Sequence, residues 1–208
     1  MANLTTLNTI ITDLLNIIRG AEVARTEPIS KVQIEMWIHQ YRAFLIKREL
    51  DKDRLINPDY IQTLDDVSTT INSNGEYVTD IDIPNTVFRN NEDGFTWLGS
   101  VEGKEYQYMT EQRSQWNQYR KYTNADPYIY LLNNKLYNNY PNNLRVKGLW
   151  ENPMEVIRLN NPTADINSKY PIPVNLIPTL KEMILKNELG VEAESPSDDT
   201  NDSQHNIN

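Results

Sequence analysis

Apolar residues recur at helical spacing through residues 4–53 and then, from Tyr60 to Leu149, at a spacing of two. This change of period constrains the fold most, because a face built for 3.6 residues per turn cannot line a pleated strand. It predicts an α+β chain: a long N-terminal helical hairpin, a central antiparallel β region, a C-terminal helix and a disordered acidic tail. Residues 1–191 read as one structural domain and 192–208 as the tail.

In the first helix Leu4, Leu7, Ile11, Leu14 and Ile18 stand at heptad positions, flanked by Ile10, Leu15 and Ile17, and Gly20 is the stop signal. The second follows Pro28. Ser30 can cap the amide of Gln33, and the helix runs to about Asp53. Its buried stripe is read as Ile34, Trp37, Ile38, Tyr41 and Leu45 with the stem of Arg48, and its outer face as Lys31, Glu35, Arg42, Lys47, Glu49 and Lys52. Leu14, Ile18, Trp37, Ile38 and Tyr41 are thus the residues expected to hold the fold and the assembly together.

Short strands follow, at 60–64, 77–81, 95–98, 106–109, 128–131, 135–137 and 144–147, with Asn133-Asn134 as a two-residue hairpin turn because asparagine tolerates positive φ. Residues 110–122 fit a short helix or another strand. Beyond the prolines of 153–173, Asn175 is expected to cap a last helix, 175–189, with Leu176, Leu180, Met183, Ile184 and Asn187 on one face and Gly190 after its end. Residues 192–208 carry five carboxylates and no Lys or Arg, the composition of a disordered segment.

Composition excludes several kinds of chemistry. The chain has no cysteine, hence no thiolate metal site, disulfide or thiol nucleophile. Its seven glycines are scattered and make no phosphate-binding loop. Of two histidines, His205 lies in the tail and His39 falls on the charged side of the second helix, where it reads as solvated rather than as the base of a nucleophilic relay. Asp80 and Asp82, on one face of a strand, are the cheapest enzymatic hypothesis, but their surroundings offer nothing apolar to raise a carboxyl pKa. No catalytic residue, metal or cofactor is assigned. No apolar run is long enough to cross a membrane, and residues 1–6 set no basic region ahead of an apolar stretch, so no signal peptide is expected.

The formal charge is −9, of which the tail holds five. Between Lys104 and Lys147 the balance reverses, seven Lys and Arg against three carboxylates, and eight of the 12 tyrosines fall between Tyr106 and Tyr140. Basic residues interleaved with aromatics suit an interaction surface or a single-strand nucleic-acid platform.

Three stretches carry a resemblance: "ISKVQIEMWIHQYRAFLIKRELDK" (29–52) after the helix of 4–19, "YIYLLNNKLYNNYPNNLRVKGLWENPMEV" (128–156) and "YPIPVNLIPTLKEMILKNELG" (170–190). They resemble the head–tail connector, or adaptor, ring proteins of short-tailed, crAss-like bacteriophages; nothing in 60–125 does. The resemblance implies a non-enzymatic virion protein made in the bacterial cytoplasm, forming a twelve-fold ring between portal and tail. Its implied partners are further copies of itself, the portal protein, other tail ring or hub proteins, and duplex DNA passing without tight binding, with no membrane. Arg113, Arg120, Lys121, Arg145, Lys147, Tyr128 and Tyr130 are then the candidate contacts between subunits. A nucleic-acid-binding accessory or regulatory phage protein is the alternative, and a carboxylate hydrolase a distant third.

Overall fold

The computed structural model describes residues 5–20, 29–52, 54–88, 93–117, 119, 120, 122 and 126–190. The tail of 192–208 and Lys121 lie outside the described residues. The architecture is α+β. Helices α1 (Leu7–Gly20) and α2 (Lys31–Asp51) precede strands β1 (Gln62–Val67), β2 (Thr69–Ile71), β3 (Tyr77–Thr79), β4 (Phe95–Ser100) and β5 (Gln107–Tyr108). Helix α3 (Glu111–Asn117), strands β6 (Tyr128–Leu132), β7 (Lys135–Asn138) and β8 (Leu144–Gly148), and helices α4 (Pro153–Asn160) and α5 (Ile177–Leu189) follow.

The helices form where local chemistry allows. Ser30 Oγ accepts from the amide of Gln33 at 3.1 Å, filling one of the donors left open at the start of α2. Helix α5 ends where Gly190 turns left-handed at φ 65°. Its start departs from the expectation. Residues 174–176 form a 3₁₀ turn, so Asn175 sits inside that turn and α5 begins at Ile177 without a side-chain cap. Asn187 points outward, and Ile177, Leu180, Ile184 and Leu189 are the residues buried. Another helix, α4, occupies the proline-rich stretch: Asn152 Oδ1 caps the amide of Met154, and Pro153, lacking a donor, fits the first turn.

Helix α2 packs against both α1 and α5. Tyr41 donates to Glu188 at 2.8 Å, and Lys181 of α5 reaches Asp13 of α1 at 2.6 Å. The apolar cluster here holds Leu7, Ile10, Ile11, Leu14, Ile34, Trp37, Ile38, Leu180 and Ile184. Ile18 and Tyr41 are only partly covered.

The β region divides into two sheets. One has the order β1-β8-β4, the other β2-β3-β7-β6-β5. All pairs are antiparallel except β5–β6, which is parallel and departs from the all-antiparallel expectation. Asn133 and Asn134, at φ 51° and 60°, make the tight β6–β7 turn. Tyr60 ends a 3₁₀ turn instead of opening a strand, because Asn57 Oδ1 captures the amide of Asp59 and Pro58 starts the turn. Residues 111–117 resolve as a helix, with Ser114 and Asn117 buried. A second cluster, around Leu64, Leu98, Ile129, Leu136, Val146, Trp150 and Val156, lies within the sheets and under α4.

Between the two clusters stands the largest departure from the sequence reading. Arg42 is not on the outer face of α2; it is fully buried. It falls four residues after Ile38 and eight after Ile34, in phase with the buried stripe. Its Nε donates to Pro171 O (2.7 Å), its Nη1 to Trp150 O (2.7 Å) and its Nη2 to Tyr60 O (3.2 Å). The rings of Tyr60 and Tyr170 lie 5.6 and 5.9 Å from the guanidinium carbon.

Two substitutions test this core. Trp37→Ala should cost about 3–5 kcal/mol, read as a fall in the midpoint of thermal or urea unfolding. Arg42→Lys should cost about 3 kcal/mol by the same measurement, since one ammonium cannot span three carbonyls held by three different segments. Near-native stability of Arg42→Lys would mean the fork is incidental.

Candidate assembly interface

The residues expected to mediate contact between subunits separate into two groups. Several are engaged within the chain. Arg145 Nε sits 2.7 Å from Asp65 Oδ1, and the Lys147 ammonium lies 5.7 Å from the centre of the Trp97 ring. Tyr130 is buried, stacks on Tyr137 at 5.1 Å and donates its hydroxyl to the Glu76 carboxylate at 3.0 Å. Burial first, and then this bond, push the Tyr130 hydroxyl well above the ordinary tyrosine range. Tyr128 is half-buried, its amide held by Asn139 Oδ1. Leu14, Trp37 and Ile38 belong to the subunit's own core.

Arg113, on α3, and Arg120, three residues past its end, are both exposed. Past Asn117, Tyr119 N donates to Trp116 O and Arg120 N to Asn117 O. Arg113 and Trp116 neighbour each other at a spacing of three on α3, and these two bonds hold Tyr119 and Arg120 just beyond its end, so the four exposed residues make one short ridge. Trp116 and Tyr119 are 70% and 75% exposed, with ring centres 6.0 Å apart. Large aromatics bracketed by arginines and left in solvent are the residue types enriched where protein surfaces meet. The sequence did not single out either aromatic as a candidate for contact, because residues 110–122 could be phased as helix or as strand.

A second exposed surface also escaped it. Val32, Met36 and Phe44 project from the outer side of α2, at 74%, 50% and 51% exposure. Spacings of four and twelve put them on one face with Gln40 between them, a signal legible once the buried phase of the helix is known.

No enzyme-like constellation forms among the expected acids. Strand β3 ends at Thr79, so Asp80 and Asp82 lie beyond it, exposed, and do not share a strand face. Asp65 holds Arg145, and Asp66, at φ 56°, accepts from Asn143. Among the described residues no group of His, Asp and Glu is placed to hold a metal ion. An open cleft of about 440 Å³ between Asp82, Asn134, Glu155 and Arg158 is lined by both charge signs.

His39 is not the solvated residue expected. It stacks on Tyr170 at 5.7 Å, with Nδ1 2.8 Å from the tyrosine oxygen. Burial pushes the Tyr170 hydroxyl pKa far up, so it stays protonated in its hydrogen bond with Nδ1, and Nε2 lies 3.7 Å from the Glu35 carboxylate. Burial, then Arg42 and Arg158, lower the His39 pKa to about 4.

The family model for phage tail ring protein 2, a crAss-like phage family, matches residues 9–207. The chain belongs to this family. A search of curated proteins finds no match. The match spans the stretch of 60–125 that carried no resemblance by eye, and so includes α3 and its ridge. Membership makes the chain a structural tail ring protein of the virion. No described helix is long and apolar enough to cross a membrane.

His39 gives this ring protein a pH signature. The unfolded chain takes up a proton below pH 6.5 and the folded chain only near 4, so protons favour unfolding between those values. The His39 contribution, about 3 kcal/mol at most, is complete above pH 6.5 and lost as pH falls to 4. His39→Gln, neutral throughout, should flatten the unfolding midpoint across that window relative to wild type. Parallel pH profiles for the two proteins would contradict a buried neutral imidazole.

Proposed function

We propose that this protein is the subunit of a closed, twelve-copy ring between the portal and the rest of the tail, and that the ring lines the conduit for packaging and ejection of the genome. The described helices and sheets act in it as one structural domain, and no reaction is assigned to it. The observation that carries the reading is the ridge of α3. A subunit whose core is already closed around Arg42 still leaves Trp116 and Tyr119 in solvent between two arginines. In a ring each subunit presents two different patches to its two neighbours, and a heterologous contact of roughly 800 Å² per partner repeats until it closes. Portal and neighbouring tail or hub proteins then meet the faces above and below, where Val32, Met36 and Phe44 offer an apolar stripe.

Charge supports the conduit. A duplex must slide in both directions, so phosphate contacts along the wall must be weak. Outside the tail each chain carries −4, and twelve copies sum to about −48, a field that repels duplex DNA over a Debye length of ~8 Å. On this reading the free arginines of the ridge face neighbouring protein and not the lumen.

A second reading, a nucleic-acid-binding accessory protein, draws on the same ridge, since arginines between exposed aromatics also suit unpaired bases. Solution mass and particle images of the purified protein, with a duplex-binding titration at physiological salt, separate the two. Ring particles with weak, non-saturating DNA binding are expected. Submicromolar duplex affinity abolished by Arg120→Glu with Lys121→Glu would overturn the conduit and favour the second reading.

A further inference from the structure

The ridge and the acidic segment 192–208 are complementary in charge. Arg113 and Arg120 stand in solvent, and among the described residues neither has a carboxylate within ion-pair distance. Ser114 and Asn117 turn to the opposite side, toward β6, so the ridge is held out from the sheet. The segment carries Glu192, Glu194, Asp198, Asp199 and Asp202 within eleven residues and has no Lys or Arg. Carboxylates fit the forks of the two guanidiniums, and Trp116 and Tyr119 supply apolar area for the backbone between them.

We propose that residues 192–208 of one copy dock on the Arg113–Trp116–Tyr119–Arg120 ridge of the adjacent copy. This deepens the ring reading and rests on it. The segment starts just after Gly190, at the end of α5 in the helical cluster, whereas α3 packs on β6 in the other cluster. Residues 191–208 span up to about 60 Å when extended, against a body of about 40 Å, so the neighbour's ridge lies within reach. A donor at one place and an acceptor at another give a head-to-tail contact, the kind that closes rings.

The test titrates a fluorescent peptide of residues 191–208 into the full chain below its assembly concentration. Binding should weaken with salt and change tryptophan emission, and the change should vanish in Trp116→Phe. Arg113→Glu with Arg120→Glu should weaken binding about tenfold, and a peptide with its carboxylates replaced by lysine should bind that variant instead. Binding indifferent to the reversal, no binding at low salt, or displacement of the peptide by a single-stranded oligonucleotide at lower concentration would overturn the docking. The assembly state is read separately. Rings that persist with the ridge reversed, together with no peptide binding to the wild-type chain, sink the docking and leave the ring standing. A wild-type mass that never exceeds one subunit sinks the ring, and the contact between subunits with it.

Discussion

A buried guanidinium organises this subunit. Removing a charge from water costs several kcal/mol, and Arg42 recovers it without a carboxylate, through three backbone carbonyls and two tyrosine rings. The carbonyls belong to segments distant in the chain: Tyr60 before β1, Trp150 after β8 and Pro171 ahead of α5. Each would otherwise be an unpaired acceptor beside apolar side chains. One arginine on a helix thus fixes the helical cluster to the three-stranded sheet, and a fork of five donors is the side chain that can do so.

Its surroundings follow from that choice. Tyr60 and Tyr170 present ring faces to the cation, and burial lifts the Tyr60 hydroxyl to about 12, so these rings stay neutral beside it. His39, one turn earlier on α2, must also be neutral, because a second cation here would repel the first. Trp150 closes the arrangement from the sheet side: its carbonyl accepts a hydrogen bond from Arg42 while its indole donates to Gln62 O at 3.1 Å. Residues 85–87 are pinned alongside, where Val87 N donates to Leu149 O and Glu151 N to Asn85 O.

Periodicity alone disclosed the helices α1, α2 and α5 and most of the strands, because their apolar spacing answers directly to burial. It failed where a residue type was allowed to overrule phase. Arg42 and His39 were placed outward for being polar, although positions 34, 38 and 42 share one face. Helix α4 was hidden by its prolines, whose role at a first turn is visible only once Asn152 is seen as the cap. The candidate surface was half legible: Arg113 and Arg120 stood out by charge, but Trp116 and Tyr119 could not be placed beside them without the helix of 111–117 and the turn bond from Tyr119 N to Trp116 O. Partners that lie far apart in sequence, such as Asp65 with Arg145 and Glu76 with Tyr130, had no local signature at all.

The two exposed surfaces differ in a way that suits different contacts. The α2 stripe of Val32, Met36 and Phe44 is aliphatic and aromatic without a central charge, so its attraction is short-ranged and needs close fit over a wide area. The α3 ridge is short, and its arginines act at longer range and with direction, which sets register more than strength. On the reading proposed above, the directional ridge fixes the angle between neighbouring copies and the apolar stripe holds the layer above or below. Burying the chain's most demanding charge, Arg42, inside the subunit keeps that requirement separate from folding: the core is complete before the ridge meets anything.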